Sequence, residues 1–118
     1  MKCPQPVRVV KQRRDFALQS LVGGVPYIQF MDIRFDRRGD ELTAVMPYQD
    51  MLIGNPILPA LHGGATSAFL ETTAIIELSW AMMWGRIESG EVLDNLRLPK
   101  TIDFTVDYLR SGLPRDAY

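Results

Sequence analysis

The stretch from Asn55 to Trp84 constrains the fold more than any other part of this chain. Pro56 and Pro59 hold its approach extended, Leu61-His62-Gly63-Gly64 follows, and no proline or further glycine appears until Gly85. A proline-bracketed approach, a glycine pair and a long uninterrupted run predict a loop feeding a helix. Ala65, Ala68, Phe69, Leu70, Ala74, Ile75, Ile76, Leu78, Ala81, Met82 and Met83 leave that helix almost no polar face, which predicts burial on most sides. It would span about 30 Å, the width of a small domain. Thr66, Ser67, Glu71, Thr72, Thr73, Glu77 and Ser79 interrupt it, which argues against a membrane span.

Glu71 stands out within this run. Its helical neighbours three and four positions away are Ser67, Ala68, Ala74 and Ile75, and no Lys or Arg occurs between Arg38 and Arg86. A carboxylate on an apolar helix is costly unless something solvates it. The plain reading is an acid that pairs with a distant arginine or reaches water. The sharper reading is a general base, a role suited to an under-solvated carboxylate. Gly63 and Gly64 favour the sharper one. They lie where the first free N–H groups of the helix belong, and without side chains they let a ligand oxygen approach the backbone. The helix dipole adds positive potential there, so the tip reads as an oxyanion hole. The alternative is a glycine hinge with no ligand.

His62-Gly63-Gly64 with an acid nine positions after the histidine, at Glu71, resembles the hotdog-fold acyl-CoA thioesterases. The likeness is to the PaaI-type group (phenylacetate-pathway and 4-hydroxybenzoyl-CoA thioesterase-like). A loop containing Asn and Pro before the histidine, and a strand from Thr101 to Leu109 running into Arg110, share in the resemblance, which covers roughly residues 25–110. It implies an α+β hotdog fold, a long central helix wrapped by a curved antiparallel sheet. It further implies a site in which Asn55 helps hold the thioester carbonyl, His62 orients rather than transfers protons, and Lys100 and Arg110 contact the nucleotide of coenzyme A. Asn55 lies seven positions before His62, one more than the family pattern. For Lys100 and Arg110 the alternative is a solvated rim.

The rest of the chain fits one domain over 1–118, with residues 1–24 forming an arm and a short helix. A net charge of -1 gives no reason to expect nucleic acid or an anionic membrane as partner. A lone cysteine, Cys3, excludes an internal disulfide and fits a cytoplasmic protein. One histidine and one distant cysteine do not make a metal site, and no cofactor is expected. Residues 7–22 predict a short helix with Val10, Phe16, Ala17 and Leu21 as its apolar stripe, ended by Gly23-Gly24. Lys11, Arg13 and Arg14 form a basic cluster, read as a solvated face or as an attraction for coenzyme A phosphates. Alternation from Tyr27 to Phe35 predicts a strand. Gly39-Asp40 predicts a hairpin turn, and Glu41 to Met46 the return strand with Leu42, Ala44 and Met46 on one face. Tyr48 to Leu61 reads as an apolar loop that lines an acyl pocket or meets a partner chain. A polar turn spans Glu88–Asn95, and Thr101–Tyr108 alternates as a half-buried antiparallel strand.

Two expectations concern assembly. Only three strands are visible, so the sheet is expected to be incomplete at the C-terminal end. Gly63 and Glu71 are eight residues apart, about 12 Å along a helix and roughly 80° around it, so one carbonyl carbon could hardly meet both within one chain. A homodimer or homotetramer would join the glycine tip of one subunit to the Glu71 of another, as the resemblance also implies. The expected activity is hydrolysis of an acyl-CoA, with Glu71 as base or nucleophile. The alternatives are a hotdog module that binds an acyl-CoA without chemistry and, more weakly, an enoyl-thioester hydratase.

Overall fold

The computed structural model describes residues 7–39, 41–89 and 97–118. The arm Met1–Pro6 with Cys3, the turn residue Asp40, and the stretch from Gly90 to Leu96, which holds most of the expected polar turn, lie outside the described residues.

A helix, α1 (Val7–Gly23), comes first, followed by α2 (Pro26–Met31) and the hairpin of β1 (Arg34–Arg38) and β2 (Glu41–Val45). A 3-10 turn (Asp50–Leu52) then leads into a second small hairpin, β3 (Ile53–Asn55) and β4 (Ala60–Leu61), and into the long helix α3 (Gly63–Glu88). The fold is α+β: one long helix and small antiparallel sheets.

The α3 core stripe follows helical spacing. Phe69, Ile76, Trp80, Met83 and Ile87 are all buried, at intervals that keep one face against the hairpin and α1. Buried Ser79 and half-buried Thr73 are accommodated because each hydroxyl donates to the carbonyl four residues back, Ile75 and Phe69, at 2.7 Å. The helix continues through Gly85 to Glu88, a turn beyond the expected exit. Burial of Ile87 offsets the glycine's cost of about 1 kcal/mol.

Helix α1 buries Leu18, Leu21 and Val22. Phe16, expected on this stripe, is 76% exposed, since it falls two residues from Leu18, on another face. Arg14 is not a solvated cation, because its guanidinium lies 5.0 Å from the Trp84 ring centroid and ties α1 to α3. Arg37, on β1, is nearly buried and pairs with Asp15 of α1 at 2.9 Å. The hairpin register sets Arg38 opposite Glu41, and Gly39 takes a φ of 61°, which suits the expected tight turn. Ala44 and Met46 face the core, as the alternation predicted.

Three expectations are corrected. Tyr27–Phe35 is not one strand. Pro26 at the helix start and the burial of Ile28 and Met31, three apart, make residues 26–31 a helix, closed by Asp32 at a φ of 54°. The loop from Tyr48 to Leu61 contains the 3-10 turn and the β3–β4 hairpin. The stretch Thr101–Tyr108 is not laddered to any described strand. It runs antiparallel to the first turns of α3, held by side chains, and then meets the sheet, where Met46 and Ala117 exchange backbone hydrogen bonds of 2.9 and 3.0 Å.

Nor is α3 buried on most sides within one chain. Leu70, Ala74, Leu78, Ala81 and Met82 form an exposed stripe opposite the core face. No helix among the described residues is long and apolar enough to cross a membrane.

Candidate active site

The tip of α3 is set by its surroundings before any ligand is considered. The N–H of His62 donates to Leu52 C=O at 2.7 Å, anchoring the helix start to the 3-10 turn. Gly54 of β3 lies directly against it. A Cβ at position 54 would come 2.7 Å from His62 Cα, so only glycine permits this approach. His62 is the N-cap residue, with extended backbone and its Nδ1 accepting from the N–H of Gly64 at 2.8 Å. The histidine therefore does the work usually given to Ser or Asp, and this bond puts any proton of the neutral ring on Nε2.

Four amides of a first helical turn lack helical partners. Here the N–H groups of Ala65 and Thr66 both donate to His62 C=O, at 3.0 and 3.1 Å, and that of Gly64 is taken by the imidazole. The N–H of Gly63 has no partner among the described residues. Of the two glycines singled out in the sequence, only Gly63 thus retains an open donor.

Glu71, two turns on, is half-buried. No cation pairs with it among the described residues. Its Oε1 accepts a hydrogen bond of 2.8 Å from the hydroxyl of Thr101, thirty residues later. At the helix tip, Tyr108 donates to Gly63 C=O at 2.7 Å and also meets the Ser67 hydroxyl. Thr101 and Tyr108 are the contacts to Glu71 and Gly63 that sequence reasoning missed. Both belong to the segment read as a strand, where an odd spacing of seven puts them on opposite faces. Without a ladder to enforce the pleat, both reach α3.

The other expected site residues lie around this line. The Asn55 Oδ1 accepts from the N–H groups of Ile57 and Leu58, at 3.0 and 3.2 Å, and so shapes the β3–β4 turn. Lys100 and Arg110 are exposed and flank the segment that carries Thr101 and Tyr108. No cluster of His, Cys, Asp or Glu able to hold a metal occurs among the described residues. An open cavity of about 780 Å³ adjoins the helix start, lined by Leu61, Thr66, Leu113 and Tyr118 among others.

No family model matches the sequence, and no curated protein matches it. A solved structure does. The X-ray structure of a protein from the thioesterase superfamily superposes with a TM-score of 0.59 over 87% of this chain and 69% of the other, at 18% identity. At that identity the likeness concerns the fold. The chain has the hotdog architecture, as that thioesterase-superfamily protein does.

Proposed function

We propose that this chain is a thioester hydrolase of the PaaI type, which cleaves an acyl-CoA to the free acid and coenzyme A. The observation behind this reading is the Gly63 amide at the tip of α3, which has no partner among the described residues, with a half-buried carboxylate on the same helix that pairs with no cation among them. The thioester carbonyl oxygen takes the Gly63 N–H, where the helix dipole supports the negative charge that develops on it. Glu71 comes from the partner subunit, since about 12 Å of helix separates it from Gly63 in its own chain. It removes a proton from a water whose oxygen bonds to the carbonyl carbon. The C–S bond then breaks, and the thiolate leaves and takes up the proton. Direct attack by the carboxylate is the other route, through a mixed anhydride that water opens. Thr101 orients the carboxylate, His62 fixes the helix tip, and Asn55 shapes the neighbouring loop. Lys100 and Arg110 attract the coenzyme phosphates. A coenzyme A substrate fits a cytoplasmic protein.

The test is a panel of aromatic and medium-chain acyl-CoA thioesters with a thiol-detecting reagent. The expected result is thiol release by the wild type and a loss of about 10²–10⁴-fold in Glu71→Gln, the usual worth of a general base, with an unchanged melting temperature. Near-normal release by a well-folded Glu71→Gln variant would remove Glu71 from this role. A second reading, a module that binds acyl-CoA without chemistry, is favoured by the displacement of Asn55, which stands seven positions before His62 and shapes the β3–β4 turn. Binding without thiol release selects it.

A further inference from the structure

We propose that Tyr108 is a positioning residue of this site, one that works with His62 to clamp the Gly63–Gly64 peptide and so fix the direction of the Gly63 N–H. The proposal rests on the hydrolase reading above and names a group that reading does not need.

The Gly63–Gly64 peptide unit is held at both ends. Its C=O accepts from the Tyr108 phenol at 2.7 Å, and its N–H donates to His62 Nδ1 at 2.8 Å. A phenol has one hydrogen to give. With that hydrogen on Gly63 C=O, the Ser67 hydroxyl is the donor in the contact between Ser67 and Tyr108. The order is Ser67 to Tyr108 to the peptide to His62, a chain in which each bond polarises the next.

The ring also occupies the space a side chain at position 63 would need. A Cβ there would stand 3.3 Å from Tyr108 Cζ and 3.4 Å from its hydroxyl oxygen. On the other side, a Cβ at 64 would stand 2.8 Å from His62 Nδ1. Two aromatic side chains, from residues forty-six apart in sequence, thus close on a glycine pair, and a side chain added at either position would have to displace one of them. The preceding peptide, which bears the Gly63 N–H, inherits a fixed orientation. Donors held in place before the reaction need no reorganisation as charge develops, which is the condition for strong transition-state stabilisation.

Tyr108→Phe tests this, because it keeps the ring and removes only the hydroxyl. Turnover on the best thioester of the panel is expected to fall roughly tenfold with KM within about twofold, since the loss concerns the transition state more than ground-state binding. The Gly64 amide, followed by NMR hydrogen exchange, is expected to exchange several-fold faster, while the melting temperature stays near wild type. Unchanged turnover, or an unchanged Gly64 exchange rate, overturns the proposal. If the wild type releases no thiol from any thioester, the hydrolase reading fails by itself. The exchange rate then judges the clamp, with acceleration supporting it and no change refuting it.

Discussion

The residues of α3 fall into three groups according to what solvates them. Thr73 and Ser79 return their hydroxyls to the helix, and Glu71 has the hydroxyl of Thr101. Glu77 has no such partner among the described residues. It lies on the exposed apolar stripe beside Ala74, Leu78 and Ala81, and desolvation raises its carboxyl above the ordinary value of 4.5. A raised carboxyl means that the folded chain binds the proton more tightly than the unfolded one. Its contribution to stability is therefore complete below pH 4.5 and is lost as pH rises through the folded value. Glu77→Gln is expected to raise the melting temperature by ~1–2 °C at pH 7–8, with the gain vanishing toward pH 4. Thermal melts across that range check it, and a pH-independent effect would point to packing instead of charge.

Among the elements, α3 combines a strong core stripe with a weak last turn. Gly85 sits inside the helix, and a Cβ there would meet nothing within 4 Å. Its only effect on stability is through backbone entropy, so Gly85→Ala should stabilise the chain by about 0.5–1 kcal/mol. Denaturant unfolding measures this directly, and a loss of stability would mean the helix does not pass through position 85. The segment from Thr101 to Tyr108 is the opposite case. Its alternating sequence specifies a strand, yet no described strand pairs with it, and Ile102 is 99% exposed. Alternation makes a segment competent for pairing; the partner edge has to come from somewhere else in space.

Taken as a whole molecule, the chain is more extended than its length requires. Its radius of gyration is 16.9 Å, against about 13.5 Å for a compact domain of this size. Leu70, Leu78 and Met82 remain 44–66% exposed along one face of the central helix. We expect a second copy to cover this face, which is also what the separation of Gly63 from Glu71 demands of the proposed chemistry. Sedimentation velocity should show a dimer or tetramer. Leu78→Glu should shift it toward the single chain of 13.4 kDa and lower thiol release by at least tenfold. A monomeric wild type with full hydrolytic activity would refute the shared site.

What the sequence determined by itself was local. The long α3, its start at Gly63, the Gly39 turn and the inward side of Leu42, Ala44 and Met46 follow from breakers, caps and periodicity, all of which act between near neighbours. The prominence of His62, Gly63 and Glu71 was legible for the same reason: they occupy one loop and one helix. Which glycine amide stays open was decided by the structure, because the rotamer of His62 sets its imidazole on the N–H of Gly64. The tertiary structure alone paired Glu71 with Thr101, Gly63 with Tyr108 and Arg14 with Trp84, partners thirty to seventy positions apart in sequence. It also made residues 26–31 a helix, since a short apolar stretch fits either period until the burial of Ile28 and Met31 chooses one. Contacts of that range have no local signature, for they are set by how whole elements pack and not by the order of neighbouring residues.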